Sequence, residues 1–279
     1  MKPDALGASI ASWLSRSKYL PQTDSPRLDM ELLLAHLLDK DRSWILAHDD
    51  YCLSFEEEQT LTRLMERRQN GEPIAYILGH KAFWSWDFLV NEHTLIPRPE
   101  TELLVETALS TMPETTLQMV DFGTGTGAIA ATLKKERPDW QVVATDKSFE
   151  ALLVAQYNCE HINAHVSLVC ADWGSPFRNG YFDLVISNPP YIRADDPCLD
   201  SLRSEPLSAL MSGEQGLADI DLIINQSRQL LRPSGRLILE HGYDQSPVVC
   251  DKMRLAGYSE ISVFRDLSGL PRVCTGIRN

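Results

Sequence analysis

Hydrophobic residues follow two different spacings along this chain. From the N-terminus to about residue 75 they recur every three or four positions, which is the period of an amphipathic helix. Ser54 and Glu57 have the spacing of a capping box, and the helix that they begin is predicted to end at Asn70-Gly71. The first part of the chain is therefore predicted to contain helices only.

From about residue 97, short apolar runs rich in β-branched residues alternate with helical patterns. This alternation predicts an α/β fold, a mostly parallel sheet with helices on both faces. Only a short turn separates the last two runs, so the final strand is predicted to be reversed. The predicted strands are residues 117–121, 141–145, 166–170, 182–187, 235–240, 261–265 and 271–277.

The two spacings divide the chain into three predicted segments. Residues 1–80 form a small helical domain, and residues 97–279 form the α/β domain. Residues 81–96 are rich in aromatic and β-branched side chains, with Asn91 near a turn, and this predicts a β-hairpin connector. The helical segment has no convincing catalytic cluster, so we expect the chemistry in the α/β domain.

Composition narrows the class of partner. The formal net charge is −13, and the Lys and Arg residues are scattered, which argues against tight binding to duplex nucleic acid. No apolar run approaches the roughly 18 residues of a membrane span, and the N-terminal residues lack the continuous apolar core of a signal peptide. The cysteines include no CxxC pair, so we expect reduced, mostly buried thiols in a soluble, cytoplasmic protein.

A glycine-rich turn, DFGTGTGAIA at residues 121–130, is predicted to join a strand to a helix. Open α/β sheets bind ligands at such turns. Gly123, Gly125 and Gly127 permit positive φ and let a ligand approach the backbone. A nucleotide-like cofactor is the favoured interpretation, although the turn also fits the looser dinucleotide pattern GxGxxG/A, and a merely tight turn is the structural alternative.

Acidic residues follow the next two predicted strands. Asp146 lies about as far downstream of the turn as an acidic residue that binds ribose hydroxyls, and a helix N-cap is a second role compatible with the first. Asp172 and Trp173 follow the third strand, where a carboxylate edge and an aromatic face suit an adenine. An ordinary loop is the alternative for this second pair.

The fourth predicted strand ends in Asn188-Pro189-Pro190-Tyr191, on the same rim as the glycine-rich turn. Asn-Pro often begins turns, which is the purely structural interpretation. The two prolines fix φ and remove two donors, so the Asn188 side-chain oxygen and the Pro189 carbonyl become acceptors at a fixed separation. Such a pair suits a planar NH2 group, on which Tyr191 would stack.

A planar NH2 group is a poor nucleophile because its lone pair is conjugated, and holding both N–H bonds favours the geometry that attacks an electrophile. A hydride acceptor has no use for such a group. S-adenosylmethionine offers an activated methyl group together with an adenosine. We therefore predict S-adenosylmethionine as the cofactor and disfavour a dinucleotide.

Two further segments carry candidate site residues. Pro97, Arg98 and Glu100 precede a predicted helix and are possible site-lining residues, with a stiff helix lead-in as the alternative. His161 and His165 are spaced as metal ligands would be on a helix, but no carboxylate ligands accompany them, so no metal site is predicted.

Taken in order, the motifs resemble those of the HemK/PrmC family, protein-(glutamine-N5) methyltransferases that modify peptide chain release factors. The resemblance covers nearly the whole chain, through GEPIAYILG (71–79), FWS (83–85), TLIPRPETE (94–102), DFGTGTGAIA (121–130), SNPPYI (187–192), EPLSAL (205–210) and LRPSGRLILEHGYDQ (231–245). It implies a class I methyltransferase with a Rossmann-like seven-strand sheet, preceded by an all-α domain that recognises the substrate.

The resemblance also implies residue roles. S-adenosylmethionine contacts fall on the turn from Gly123 to Gly127, which includes Thr124 and Thr126, and on Asp146 and Trp173, beside Asp172, which its place after the third strand makes a further cofactor-binding candidate. The catalytic and substrate-binding residues fall on Asn188, Pro189, Pro190 and Tyr191, with Asn188 shared by both pockets. The implied reaction methylates the glutamine amide of a release factor's Gly-Gly-Gln motif and yields S-adenosyl-L-homocysteine.

The rival interpretation is an adenine-N6 methyltransferase of DNA or RNA, since an exocyclic adenine amine is also a planar NH2 group. Direct nucleic acid binding is not expected of this acidic chain, and neither is membrane association.

Overall fold

The computed structural model describes residues 7–20 and 25–279, and predictions made for residues 1–6 and 21–24 lie outside it. The chain divides into two compact units, Met1–Gly79 and His80–Asn279. Within the described part of the chain, no helix is long and apolar enough to cross a membrane.

The first unit is helical, as predicted. Its core is formed by apolar side chains such as Met30, Leu33 and Leu34, all fully buried. The predicted capping box is present, because Ser54 Oγ accepts from Glu57 N and the Glu57 carboxylate accepts from Ser54 N. The described α-helices are α1 (Ile10–Ser15), α2 (Pro26–Leu38), α3 (Arg42–Ala47), α4 (Phe55–Gln69) and α5 (Ile74–Leu78).

The second unit begins with a hairpin of β1 (His80–Phe83) and β2 (Trp86–Leu89), which overlaps the predicted connector but ends earlier. Its turn lacks the usual Asn-Gly signal. Trp84 takes the left-handed conformation there, with φ of 56°. The indole N–H of Trp84 donates to Glu136 and its backbone N–H donates to Glu102, so tertiary contacts hold this turn.

The second unit continues as an α/β sheet in which strands and helices alternate. Its strands are β3 (Gln118–Phe122), β4 (Gln141–Asp146), β5 (Ser167–Cys170), β6 (Phe182–Ser187), β7 (Leu231–Glu240), β8 (Tyr258–Arg265) and β9 (Pro271–Arg278). Its α-helices are α6 (Glu102–Thr111), α7 (Ala128–Glu136), α8 (Phe149–His161), α9 (Ala218–Leu230) and α10 (Ser246–Leu255).

The sheet has the order β5-β4-β3-β6-β7-β9-β8. Neighbours from β5 to β7 are parallel, whereas β9 is antiparallel to both β7 and β8. The prediction of a seven-strand sheet with a reversed last strand is therefore confirmed. Helices α6, α7 and α8 contribute to one apolar cluster, and α9 and α10 contribute to another, so the sheet is covered on both faces.

Several sequence-based details differ from the structure, and one is that β8 begins at Tyr258, not at 261. Strand β7 begins at Leu231, not at 235, because Leu231 pairs with Phe182 ahead of an irregularity that accommodates the turn-like residues 232–235. The cysteines are all free, but only Cys159, Cys250 and Cys274 are buried, so the expectation of mostly buried thiols is wrong for the other half.

Candidate active site

The glycine-rich turn follows β3 at the carboxyl edge of the parallel strands. Gly123, Gly125 and Gly127 all have positive φ, between 54° and 79°. At Gly123 a side chain is also excluded by packing, because an added Cβ would lie 2.9 Å from the Trp173 ring. The turn is secured from below by Thr124, whose hydroxyl donates to buried Asp121 at 2.6 Å. Burial raises the pKa of Asp121 to about 7, against the opposing effect of that hydrogen bond.

Gly127 has a different environment from the other turn glycines. It precedes the first residue of α7, and an added Cβ would lie 3.2 Å from Ala155 Cβ on α8. It does not line the cavities described below. Gly127 therefore packs closely against α8, and its predicted contact with the cofactor stays a prediction.

Gly127→Ala is expected to destabilise the protein by about 1–2 kcal/mol, the cost of left-handed backbone for a residue with a Cβ, plus the close approach to Ala155. Urea unfolding of the two proteins measures this difference. Gly180→Ala is a matched control, since Gly180 has a φ of 64° and nothing within 4 Å of an added Cβ. Equal losses in the two variants would contradict a packing role for Gly127.

Asp146 ends β4 and faces the turn. Its two carboxylate oxygens accept from the backbone N–H groups of Gly125 and Ser148, each at 2.9 Å. The helix that follows is capped by Ser148, whose hydroxyl accepts from Ala151 N. The alternative of Asp146 as an N-cap is therefore wrong. Each oxygen retains acceptor capacity, because a carboxylate oxygen has two lone-pair sites.

One of three adjoining cavities occupies the rim above these groups and spans about 670 Å³, including its open mouth. That size is typical of a small-molecule site. The predicted cofactor residues that line it are Gly123, Gly125, Asp146, Asp172, Trp173 and Asn188. Lining residues that sequence reasoning missed include His93, Leu95, Lys147, Pro206 and Ala209.

Thr124 and Thr126 do not line this cavity. They line a second cavity together with Pro97, Arg98 and Thr101. A third cavity is lined by Pro189 and Tyr191 and by the loop that follows them. Asn188 and Leu95 each line all three cavities, and Asn188 supplies the polar group where the cavities meet.

One hydrogen bond fixes the amide nitrogen of the Asn188 side chain. Its Nδ2 donates to Thr101 Oγ1 at 3.1 Å. Among the residues that the structure describes, none donates to Asn188 Oδ1 or to the Pro189 carbonyl, and their use as acceptors for a ligand stays a prediction. The neighbouring Ser187 hydroxyl donates to the Phe122 carbonyl and joins the ends of β6 and β3.

Tyr191 is anchored by its hydroxyl group. The hydroxyl donates to Glu240 Oε1 at 3.1 Å, and burial raises its pKa far above the ordinary value. Burial likewise raises the pKa of the Glu240 carboxyl to about 7, which the Tyr191 and Thr101 hydroxyls and Arg272 partly offset. Tyr191 therefore has a fixed position at the wall of its cavity.

Three residues of the segment before α6 are predicted to line the site, and two of them line cavities. Pro97 and Arg98 line cavities, whereas Glu100 is exposed and lines none of the three. The short 3-10 turn Pro99–Thr101 explains the difference, because Glu100 and the buried Thr101 face different sides of a tight turn. The prediction for Glu100 as a lining residue is therefore not matched by its position.

Arg98 forms an ion pair with Glu205, a residue that the sequence did not single out. Glu205 is 4% exposed and also accepts from Ile96 N at 3.0 Å. It thereby joins the lead-in to the loop after Tyr191. Among the described residues, no group of three or more His, Cys, Asp or Glu side chains could hold a metal ion.

The class of protein follows from comparison of this unit with known proteins. Residues 99–201 match the family model described as methyltransferase small domain. A solved methyltransferase structure from Pyrococcus furiosus is 18% identical and covers 78% of this chain and 99% of its own, with a TM-score of 0.55. The second unit therefore has the Rossmann-like fold of a methyltransferase.

The family is shown by a second family model and by relatives that match most of the chain. Residues 15–79 match the model described as PrmC N-terminal domain. The release factor glutamine methyltransferase of Salmonella typhimurium is 44% identical over 95% of this chain and 97% of its own length. That of Pseudomonas aeruginosa is 44% identical over 94% and 96%. The chain belongs to the family of release factor glutamine methyltransferases.

Proposed function

We propose that the protein transfers a methyl group from S-adenosyl-L-methionine to the side-chain amide nitrogen of the glutamine in the Gly-Gly-Gln motif of peptide chain release factors. The observation that carries this proposal is the position of Asn188, where the cavity of the glycine-rich turn meets the cavity of Pro189 and Tyr191. Family membership supports the choice of a glutamine over an adenine. The reaction would take place in the cytoplasm, where release factors act.

The rim of the cavity beside the glycine-rich turn suits S-adenosylmethionine. Asp146 retains acceptor sites for a ribose hydroxyl pair, and Gly125 has open space where a side chain would stand. Asp172 and Trp173 line the same cavity and suit an adenine edge and face. When bound, S-adenosylmethionine supplies a methyl group on a sulfonium, and the sulfur keeps the electron pair of the broken C–S bond as S-adenosyl-L-homocysteine forms.

The chain's own residues would orient the glutamine. Asn188 Oδ1 and the Pro189 carbonyl accept its two amide N–H bonds, which directs the nitrogen lone pair toward the methyl group. Pro190 and Tyr191 shape the slot, and the anchored Tyr191 ring keeps its width constant. Since the amide nitrogen loses its proton only after the new N–C bond forms, no general base is required before attack.

Residues 1–79 would contribute to recognition of the release factor, as suggested by the match of residues 15–79 to the PrmC N-terminal domain. This unit has a core of its own. We do not expect it to bind nucleic acid, because the chain as a whole is acidic.

The test is methyl transfer from labelled S-adenosylmethionine to a purified, unmethylated release factor and, in parallel, to unmethylated DNA. We expect label in the release factor alone, with one added methyl group on the Gly-Gly-Gln peptide by tryptic mass spectrometry. Label in DNA alone would overturn the proposal in favour of an adenine-N6 activity.

Asp146→Ala is expected to raise the dissociation constant of S-adenosylmethionine at least about tenfold, the scale of one lost hydrogen bond to a charged group. Isothermal titration calorimetry measures this constant directly. Asp41→Ala is a suitable control, because Asp41 also accepts a backbone N–H, that of Trp44, but lies in the helical unit. An unchanged dissociation constant in Asp146→Ala would remove the ribose assignment.

A further inference from the structure

The side chain of Gln245 joins three segments of the chain. It is buried in the turn between β7 and α10. Its Oε1 atom accepts from the backbone N–H of Gly242 at 2.8 Å. Its Nε2 atom donates to the Tyr191 carbonyl at 3.0 Å and to the Gly216 carbonyl at 3.2 Å. One amide therefore binds its own turn, the last residue of the Asn-Pro-Pro-Tyr motif and a later loop.

The orientation of the Gln245 amide is fixed by its partners. A backbone N–H can only donate, and a backbone carbonyl can only accept. Reversing the amide would place its NH2 group against the N–H of Gly242 and its oxygen against two carbonyls. This buried position therefore requires a side chain with one acceptor and two donors, and a glutamine amide supplies both.

Gln245 lies at the base of a loop, residues 192–215. The loop leaves the motif at Tyr191 and returns at Gly216, and these are the two residues whose carbonyls accept from Gln245. Within the described part of the chain, no other group donates to either carbonyl. Ala209 of this loop lines both the cavity proposed for the cofactor and the cavity proposed for the substrate. Gln245 thus closes a loop that borders the whole site.

Gly216 shows how closely the two ends of this loop approach each other. It is buried, with a φ of 69°, and an added Cβ would lie 2.2 Å from the Tyr191 carbonyl oxygen. The same Cβ would lie 3.0 Å from Gln245 Nε2. The contact between Gly216 and Tyr191 therefore leaves no room for a side chain, and this is evidence for a tight closure that does not depend on the hydrogen bonds.

We propose that Gln245 is a positioning residue for methyl transfer, which fixes the Tyr191 backbone against Gly216 and thereby holds the Pro189 carbonyl in place for the substrate amide. Only Pro190 lies between Pro189 and Tyr191, and its ring fixes φ. A displaced Tyr191 carbonyl is therefore expected to displace the Pro189 carbonyl. This inference rests on the proposed function, because only there does the Pro189 carbonyl accept from a substrate.

The part of the loop that borders the substrate cavity has attachments of its own. Ile192 N donates to the Leu210 carbonyl at 2.9 Å, and Ser212 N donates to the Ile192 carbonyl at 3.1 Å. Glu205 holds the loop to the segment before α6. These bonds remain when Gln245 is replaced. We therefore expect the loss of Gln245 to impair orientation of the amide, measured by kcat, more than binding of the peptide, measured by KM.

The first experiment replaces the Gln245 amide and measures methylation of a Gly-Gly-Gln peptide. Gln245→Glu keeps an acceptor for Gly242 but supplies at most one donor, and Gln245→Met supplies none. We expect kcat to fall at least about tenfold in both variants, less than the roughly 100-fold that a misplacement of about 1 Å can cost. Gln156→Glu is the control, because it makes the same change on the exposed face of α8, where Gln156 donates to Glu160.

The folded fraction of each variant is measured separately. The stoichiometry of S-adenosylmethionine binding, from isothermal titration calorimetry, counts the binding sites, and kcat is expressed per site. A purely structural defect would lower this stoichiometry and leave kcat per site unchanged. A positioning role predicts the reverse, with KM for the peptide and the S-adenosylmethionine dissociation constant within about threefold of wild type.

The second experiment displaces the Tyr191 carbonyl without changing Gln245. Gly216→Ala is expected to lower kcat per site at least about tenfold, for the same reason. Gly213→Ala is the matched control, because Gly213 also has a positive φ, 65°, but the nearest atom to an added Cβ is Ala218 Cβ at 3.3 Å. Both variants share the cost of left-handed backbone. Equal losses of kcat would assign the effect to that cost and would overturn the inference.

The remaining outcomes also decide. Normal kcat per site in Gln245→Glu and Gln245→Met, or a rise in KM without a fall in kcat, would overturn the role of Gln245. Loss of cofactor binding in both Gln245 variants and in Gly216→Ala would show that these residues serve the fold alone, with the same consequence. Failure of wild type to methylate the peptide would instead refute the proposed function, so the two failures are distinguishable.

Discussion

Replacing Asn188 by alanine is expected to reduce the turnover of peptide methylation by at least about 100-fold, the scale of a lost orienting or oxyanion-type contact. The variant removes Oδ1, one of the two acceptors that would hold the glutamine amide, and leaves Thr101 without its donor. The affinity for S-adenosylmethionine should stay within about tenfold of wild type, because Asn188 is only one of many residues that line that cavity.

Single-turnover kinetics and calorimetry on the same protein measure these two quantities separately. Asn225→Ala is the control, since Asn225 is exposed on α9 and its amide donates to a backbone carbonyl one turn earlier. Near-normal turnover in Asn188→Ala would refute the proposed orientation of the amide. A loss confined to cofactor affinity would assign Asn188 to the cofactor cavity alone.

The residues of the site that could be predicted from sequence share one property. Each follows an apolar strand, and the carboxyl ends of parallel strands lie on one edge of a sheet. The turn after β3, Asp146 after β4, Asp172 after β5 and Asn188 after β6 were therefore expected together, and all of them line the same cavity. Strand order was not needed for this prediction, because the edge is common to all four strands.

The residues that sequence reasoning missed depend on contacts between distant segments. Asn188 and Thr101 are 87 positions apart, and Ile96 and Glu205 are 109 positions apart. No local pattern distinguishes a buried glutamate such as Glu205 from an exposed one. Glu240 could not be distinguished either, because it ends an apolar strand, where many acidic residues face solvent. Only the three-dimensional fold shows which carboxylates are buried from solvent.

Gly127 shows a second limit of sequence reasoning. It belongs to the same motif as Gly123 and Gly125, and sequence alone assigned all three to the ligand. In the structure the first two lie on the rim, but Gly127 begins the helix and meets Ala155. A glycine in a motif reports a requirement for space or positive φ, and the neighbour that imposes the requirement is visible only in the fold.

Replacing Glu205 by alanine is expected to destabilise the protein by about 3 kcal/mol, the lower end of the cost of removing one partner of a buried ion pair. The lower end applies because the Arg98 side chain is 34% exposed and can regain some water. The variant also leaves the Ile96 N–H without its acceptor. The free energy of unfolding from urea titration measures the loss.

Asp200→Ala is the matched control for this variant, because Asp200 pairs with Arg203 in the same region of the chain but both side chains are more than three-quarters exposed. Its cost is expected to be between about 0 and 1 kcal/mol, as for surface ion pairs. Equal losses in the two variants would contradict a structural role for burial of Glu205.

Activity gives Glu205 a second, independent test. Glu205 connects the Ile96–Arg98 lead-in to the loop that follows Tyr191, and residues from both segments line the cavity of Pro189 and Tyr191. Without this connection, the two segments are expected to move apart and to widen the cavity of Pro189 and Tyr191. The KM for the release factor peptide should therefore rise more than the dissociation constant of S-adenosylmethionine changes. A variant that is destabilised yet keeps a normal KM would show that the two walls hold their positions without Glu205.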